Sequence, residues 1–167
     1  NVEDGVDFVV GTFSKSLGAI GGFCVSNHPE LNLVRYASRP YVFTASSSPS
    51  VIASTRKALK ILQKRTELRR RLWDNANMLY NNLQDLGFSM GPEPSPIVAV
   101  RLDDMAEAFA LWNGLLEQGV YVNLMLPPAT PDGSCLLRSS VSAGHTPEQM
   151  ERICEAFTAV RQLTAAA

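Results

Sequence analysis

The stretch GTFSKSLG, at residues 11–18, decides how this sequence is interpreted. It overlaps the end of an apolar run at residues 7–12 and is followed by a second run at residues 21–26. Near-continuous apolar character is typical of buried strands in a mostly parallel sheet. The pattern therefore predicts two such strands joined by a loop of small and hydroxyl-bearing residues, with Lys15 inside that loop.

The residue types around Lys15 leave two interpretations open. A Walker-type phosphate loop has Gly directly before its Lys, and Ser14 stands there, so that class is excluded. An apolar, small-residue setting favours the neutral amine, which can attack an aldehyde and form a Schiff base, while nearby hydroxyls bind a phosphate. The alternative is a solvated lysine at a loop tip, and composition alone favours that alternative.

Helical patterns dominate the middle of the chain. Pro29 opens a predicted helix that Arg39 and Pro40 stop near residue 38, and a hydroxyl-rich loop follows. Leucine and isoleucine then recur at helical spacing over residues 49–86, and Gly87 is a plausible C′ residue. This pattern is too long for one ordinary helix, so it predicts two segments or one long connector.

The remaining sequence predicts an α+β unit. Strands are expected at residues 96–102, 120–123 and 135–141, and an amphipathic helix at 104–118 is closed by Gly119. Thr146, Pro147 and Gln149 form the N-cap, first position and capping-box position of a final helix, whose end at residues 165–167 is expected to fray. The chain thus divides into residues 1–48, a connecting helical segment at 49–87, and a C-terminal unit at 88–167.

Composition excludes several classes of partner. The 167 residues carry 15 basic and 16 acidic side chains, so no bulk attraction to nucleic acid is expected. Three widely spaced cysteines without a CxxC pair predict no metal site or disulfide framework and favour a cytoplasmic location. No run approaches the roughly 20 apolar residues of a membrane span. The basic cluster at residues 56–71 is expected to be a solvated helix face, with contact to CoA phosphates or anionic lipid as the alternative.

Several motifs in order carry a family resemblance. The stretch at 11–18, followed by GGF at 21–23, resembles the cofactor-lysine segment of the α-oxoamine synthases, which are fold-type-I pyridoxal-phosphate (PLP) enzymes. The resemblance implies an α/β fold: the end of a large, mostly parallel-sheet domain, followed by a C-terminal α+β small domain. Within the family, PPATP at 127–131 is most similar to the bacterial serine palmitoyltransferase branch. The match continues through residues 39–46, 121–123, 136–138 and 143–146.

The resemblance also implies residue roles and a reaction. Lys15 would hold PLP and be the catalytic residue, Thr12 would contact the cofactor, and Thr44 and Ala45 would donate to its phosphate from the neighbouring subunit of a homodimer. Arg138 would bind the carboxylate of the amino-acid substrate, because a guanidinium pairs with both oxygens. The implied reaction is the decarboxylative condensation of an amino acid, expected to be L-serine, with a long-chain acyl-CoA to give a 3-keto long-chain base.

Alternatives remain beside that expectation. Arg138 alone could end an edge strand in a surface ion pair. Leu126 stands where the serine-using branch typically carries an arginine, so glycine or alanine with another acyl thioester is a second possibility. The family's ring-stacking histidine and pyridine-pairing aspartate lie before the cofactor lysine. A chain that begins at Asn1 is therefore expected to be truncated and inactive alone, or to act only by binding a partner.

Overall fold

The structure is a computed structural model that describes residues 2–130 and 132–165. Its contacts divide the chain into two units, Asn1–Arg65 and Thr66–Ala167. The boundary falls inside the predicted connecting segment at 49–87, and the three-part division stays a prediction. Pro131, the last residue of PPATP, and most of the C-terminal end expected to fray lie outside the described residues.

The first unit consists of a strand pair and three helices. A 3-10 turn at Glu3–Gly5 precedes the strand pair, and the hydroxyl of Ser48 caps the last helix by accepting from the Val51 N–H at 3.4 Å. The elements are β1 (Val9–Thr12), β2 (Gly22–Val25), α1 (Leu31–Ala37), α2 (Arg39–Val42) and α3 (Pro49–Lys64).

The strands of the first unit differ from the expectation of buried, parallel strands. β1 and β2 pair with each other in antiparallel register, with Val9 opposite Val25 and Gly11 opposite Phe23. Only nine residues join them, which is enough for an antiparallel pair, whereas parallel neighbours need a crossover of a dozen or more. Their apolar side chains are also exposed, Val10 by 76%. The two strands are therefore antiparallel to each other and exposed within this chain, so the expected burial is not observed.

The helix predictions of the first unit were partly right. α1 ends at Ala37, near the predicted position, but Arg39 and Pro40 begin a second short helix instead of stopping the first. Proline is tolerated in a first helical turn because the N–H it lacks would have no intrahelical partner there. The long helical pattern is interrupted at Arg65, between α3 and a second helix, α4 (Thr66–Asp85), so it follows the two-segment alternative.

The second unit is an antiparallel sheet with helices. Its strand order is β3 (Ser89–Met90), β4 (Ile97–Leu102), β6 (Cys135–Ser140), β5 (Asn123–Met125). The predicted strand at 120–123 was placed too early, because the Val120 N–H bonds the Leu115 carbonyl and the Val122 carbonyl accepts from Trp112 Nε1. The elements are α4 (Thr66–Asp85), β3 (Ser89–Met90), β4 (Ile97–Leu102), α5 (Met105–Glu117), β5 (Asn123–Met125), β6 (Cys135–Ser140) and α6 (Pro147–Ala165).

Side-chain alternation along the sheet separates a buried face from an open one. Val98, Val100 and Leu137 are almost completely buried, while their neighbours Ala99 and Arg138 are not. Every residue of the buried core cluster belongs to this unit, with α4, α5 and α6 each contributing. Burial of each large aliphatic side chain contributes about 1.5–3 kcal/mol. One face of the sheet is thus buried against the helices, and the residues of the other face are half-buried or exposed.

Helix ends in the second unit agree with the sequence. Gly87 and Gly119 both have positive φ, and at each the following N–H bonds a carbonyl of the last helical turn, Leu83 or Leu115. The capping box of α6 is reciprocal, because the Thr146 N–H donates to Gln149 Oε1 and the Gln149 N–H donates to Thr146 Oγ1. These local predictions are confirmed.

Candidate functional site

Hydrogen bonds within the Lys15 loop hold its shape. The Phe13 N–H donates to the Gly21 carbonyl at 2.9 Å, and the Ala19 N–H donates to the Phe13 carbonyl at 2.9 Å. The Thr12 hydroxyl donates to the Gly21 carbonyl at 3.2 Å and accepts from the Ser14 N–H at 3.2 Å. The rings of Phe13 and Phe23 stack 5.7 Å apart. The loop is therefore closed at its base by backbone, hydroxyl and aromatic contacts.

Lys15 lies at the exposed end of this loop. Its carbonyl accepts from the Gly18 N–H at 2.9 Å, which makes a tight turn, and Gly18 has φ +60°. The side chain is exposed, and its ammonium has no hydrogen-bond partner among the described residues. The first unit alone therefore does not provide the apolar burial that would favour a neutral amine.

A cavity of about 520 Å³ lies between the Lys15 loop and the first turn of α3. Lys15 itself does not line it, but its neighbours Ser14 and Gly18 do, together with Ser50 and Ser54 of α3. A helix N-terminus presents unpaired N–H groups and attracts anions. The cavity thus combines hydroxyl donors with a favourable helix end. Ser14 belongs to the hydroxyl-bearing loop predicted around Lys15, whereas Ser50 and Ser54 were not singled out from the sequence, although the serine-rich run before α3 was a signal for them.

Thr44 and Ala45 follow α2 and are both exposed. The Thr44 hydroxyl donates to the Pro40 carbonyl, so its hydrogen is already used within the turn that ends α2. The Thr44 N–H makes a long bond of 3.5 Å to the Tyr41 carbonyl. A phosphate bound here would have to compete for the Thr44 hydroxyl.

Arg138 lies in the middle of an inner strand. In β6 it stands opposite Ala99 of β4 on one side and Asn123 of β5 on the other. It is therefore not the end of an edge strand, and it makes no ion pair with any described residue. Its Nε is buried without a hydrogen-bond partner among the described residues. The structure thus contradicts the surface ion-pair alternative.

Leu126 packs against the buried core of the second unit. It directly follows β5, where Leu124 also packs on the core. The loop after Leu126 contains a cis peptide bond between Pro127 and Pro128, and the Thr130 hydroxyl ties it by donating to the Ser134 carbonyl at 2.6 Å. Leucine at position 126 therefore has a packing role here.

Asp132 fixes the far side of the same loop. It accepts from the Ser134 hydroxyl at 2.6 Å and from the Ser134 N–H at 3.2 Å, and it pairs with Arg101 at 2.7 Å. The Ser134 hydroxyl, followed by its N–H and by the Arg101 charge, lowers the pKa of Asp132 below the usual aspartate value.

The predicted site residues are thus distributed over both units. Lys15, Thr12, Thr44 and Ala45 belong to the first unit, and Arg138 belongs to the second. No group of three or more metal-ligating side chains occurs within residues 2–130 and 132–165. None of the described helices combines the length and the apolar character needed to cross a bilayer.

Sequence comparisons place the chain among PLP enzymes. The family model of aminotransferase class I and II matches residues 1–157. The chain is 56% identical to the serine palmitoyltransferase (SPT) of Caulobacter vibrioides over 156 residues, which cover 93% of the chain and 39% of that relative. It is 38% identical to the 8-amino-7-oxononanoate synthase of Alkaliphilus metalliredigens, covering 94% of the chain and 40% of that relative.

Solved structures of SPT are also similar to this chain. The SPT of Sphingomonas wittichii matches with a TM-score of 0.93 and 51% identity, over 99% of this chain and 42% of that one. A high-resolution structure of SPT with PLP matches with a TM-score of 0.94 and 47% identity, over 100% of this chain and 42% of that one. The chain spans about two fifths of the length of the curated relatives it matches. The expected family, fold class and family cofactor are confirmed.

Proposed function

Because the chain belongs to the aminotransferase class I and II family, with α-oxoamine synthases among its relatives, we propose that the protein containing it is a PLP-dependent acyltransferase. It joins the α-carbon of an amino acid to the acyl group of an acyl thioester, and it releases free CoA and CO2. We assign L-serine and a long-chain acyl-CoA as the substrates because the chain is more similar to an SPT than to an 8-amino-7-oxononanoate synthase. The two sequence identities are 56% and 38%. The product is a 3-keto long-chain base, which is an intermediate of the kind used in sphingolipid synthesis.

The residues of the first unit fit PLP. Lys15 offers an exposed amine without a described acceptor, and the adjacent cavity offers the hydroxyls of Ser14, Ser50 and Ser54 at the start of a 16-residue helix. An amine for the aldehyde and hydroxyl and N–H donors for the phosphate are what this cofactor requires. When bound, PLP supplies an electron sink for negative charge at the substrate's α-carbon.

Lys15 is proposed as the base and acid of the reaction. Its Nζ takes the α-proton of the bound amino acid and later returns a proton to the same carbon. The closed loop base, with Thr12 bonded to Ser14 and Gly21, limits the positions that Nζ can reach. Thr12 contacts the cofactor, and Thr44 and Ala45 donate to its phosphate from the second subunit of a homodimer.

Arg138 is proposed to bind the substrate carboxylate. A guanidinium whose Nε is buried without a described partner has unused hydrogen-bonding capacity, and a carboxylate matches it with two oxygens. Arg138→Gln should lose about 1.5–3 kcal/mol of binding, a roughly 10- to 150-fold rise in KM for the amino acid. Arg101→Gln is the matched control, because Arg101 is an arginine of the neighbouring strand that already pairs with Asp132 and Asp103.

A second candidate keeps the reaction and changes the amino acid to glycine or alanine. Leu126 favours this candidate, because the serine-using branch typically carries an arginine at this position. A leucine packed on the core cannot make that second contact with the substrate carboxylate. In a third possibility, the chain is a non-catalytic fragment that only binds a partner. A cytoplasmic location and peripheral contact of the basic cluster at 56–71 with CoA phosphates or lipid stay predictions.

One assay separates these candidates. The full-length protein containing this chain is loaded with PLP, and CoA release from palmitoyl-CoA is followed with serine, glycine or alanine. Serine should give the highest kcat/KM, and Lys15→Ala should lower kcat by about 10²- to 10⁴-fold, while Lys60→Ala, an exposed lysine of α3, stays near wild type. A preference for glycine or alanine supports the second candidate, and no CoA release with any of the three supports the fragment.

A further inference from the structure

A separate cavity of about 320 Å³ lies within the second unit. It is lined by the end of β6, the start of α6 and residues 119–122, and neither Lys15 nor Arg138 lines it. Small-molecule sites are roughly 300–1,000 Å³, so this cavity suits a small ligand. Its polar lining includes Ser139, His145, Gln149 and Arg152, and its apolar lining includes Val120 and Ile153.

Ser139 is the feature that points to a ligand. The residue is 7% exposed, and its hydroxyl has no hydrogen-bond partner among the described residues. Leaving a buried hydroxyl unpaired is unfavourable, and native structures rarely do so. Ser139 faces the core side of the sheet, opposite to its neighbour Arg138, and it lines the cavity. A group bound in the cavity would complete its hydrogen bonding.

Two further polar side chains of the cavity, His145 and Gln149, have donors available. His145 Nδ1 accepts from the Ser142 N–H at 3.2 Å, so in the neutral ring the proton resides on Nε2, which is therefore a donor. Gln149 Oε1 accepts from the Thr146 N–H, which leaves the amide NH2 available. Donors from a hydroxyl, an imidazole and an amide together favour a ligand with acceptor oxygens.

Arg152 adds a fixed positive charge at this site. Its side chain is exposed and makes no ion pair with any residue that the structure describes. Gly119 leaves it room, because a Cβ at that position would lie 3.2 Å from Arg152 Nη2. Arginine is always charged at physiological pH and pairs with planar carboxylates through two hydrogen bonds. The acceptor oxygens are therefore expected to carry negative charge.

The apolar residues of the lining indicate that the ligand also has a hydrocarbon part. Val120 and Met150 are buried in the core at the edge of the cavity, and Ile153 packs beside them. We propose that this cavity binds a small amphipathic carboxylate, with Arg152 and the Ser139 hydroxyl on the carboxylate and Val120 and Ile153 against a medium-length chain. The site goes beyond the proposed reaction, since it uses none of the residues assigned to it.

Calorimetric titration of the full-length protein tests this site, with octanoate as the probe and 1-octanol as the uncharged match. Octanoate should bind with 1:1 stoichiometry and at least 10-fold more tightly than 1-octanol. Arg152→Gln should weaken octanoate at least 10-fold, and Ser139→Ala several-fold. Arg70→Gln, an exposed arginine of α4 that does not line the cavity, should leave the affinity unchanged.

Hydrogen exchange then locates the bound probe. Octanoate should slow exchange at residues 119–122, 139–141 and 149–153 and leave residues 11–18 unaffected. Equal affinity for octanoate and 1-octanol, unchanged binding in Arg152→Gln, or protection confined to other segments would each overturn the proposal. Arg152 is exposed, so its variant keeps the fold even where Ser139→Ala does not.

Discussion

The two units of this chain bury very different shares of their apolar side chains. In the second unit, helices cover one face of an antiparallel sheet and enclose the whole buried core cluster. In the first unit, Thr55 is the one buried side chain among the residues described, while Tyr36 and Phe43 are about four-fifths exposed. The two units have similar apolar content in sequence, so the difference lies in how much of it each unit can cover by itself.

This difference bears on the two residues that carry the proposed chemistry. Arg138 lies on a sheet whose opposite face is fixed by the core. Lys15 lies in a loop held only by local hydrogen bonds and one aromatic pair, on a two-stranded sheet. An isolated strand pair is marginally stable in water. The geometry around Lys15 is thus expected to depend on further protein surface, and the geometry around Arg138 is not.

Separating the units should give the largest effect. Residues 66–167 expressed alone should unfold cooperatively in urea, because the core is complete within them. Residues 1–65 should show no cooperative transition, because they bury almost nothing. Circular dichroism against urea concentration measures both. Cooperative unfolding of the 1–65 segment would show that the contrast between the units is mistaken.

Matched truncations in α3 and α4, which are consecutive in the chain, sharpen the comparison. Leu79 of α4 is 1% exposed and Ile52 of α3 is 57% exposed. Leu79→Ala should lower the free energy of unfolding by about 2–5 kcal/mol, since it loses buried area and leaves a cavity. Ile52→Ala should change it by no more than about 0.5 kcal/mol. Urea unfolding of residues 1–167 provides both values, and an equal loss at Ile52 would show that the first unit buries this side chain after all.

Glycine substitutions test the packed unit on a finer scale. Gly119 and Gly87 have φ of +76° and +75°, so alanine at either should cost about 1–2 kcal/mol of backbone strain. A Cβ at Gly119 would also crowd Arg152, whereas nothing lies within 4 Å of one at Gly87. Thermal unfolding of residues 66–167 should therefore show a larger loss for Gly119→Ala than for Gly87→Ala. Equal losses would indicate that Arg152 moves away freely.

The smallest effect concerns acid stability. Hydrogen bonds from Ser134 lower the pKa of Asp132 in the folded state, so this carboxylate stabilises the fold fully above its ordinary pKa of 3.8. The contribution is lost as the pH falls through the lowered folded-state pKa. Ser134→Ala should raise the pKa of Asp132 toward the ordinary value and reduce this acid loss. Carboxyl-carbon NMR titration measures it, with the exposed hydroxyl variant Ser140→Ala as a control that leaves Asp132 unchanged.

Local features were predictable from the sequence, and long-range ones were not. The caps at Thr146 and the turns at Gly87 and Gly119 depend on a few consecutive residues, so their residue types were sufficient. The partner and exposure of β1 depend on loop length and on distant surface, and an apolar run alone does not specify them. For the same reason the sequence did not indicate that Arg138 is in an inner strand or that the Ser139 hydroxyl lacks a partner.

Lys15 was predicted as the cofactor lysine because several family motifs follow it in order, since its own loop alone favours a solvated lysine. The most direct test reduces the full-length protein with borohydride after PLP is added, and then maps the cofactor by peptide mass spectrometry. Borohydride makes the bond between the cofactor and its lysine permanent, so the modified residue is read directly. We expect a phosphopyridoxyl group on Lys15. Modification of another lysine, such as Lys57 or Lys60, or no modified peptide at all, would contradict it.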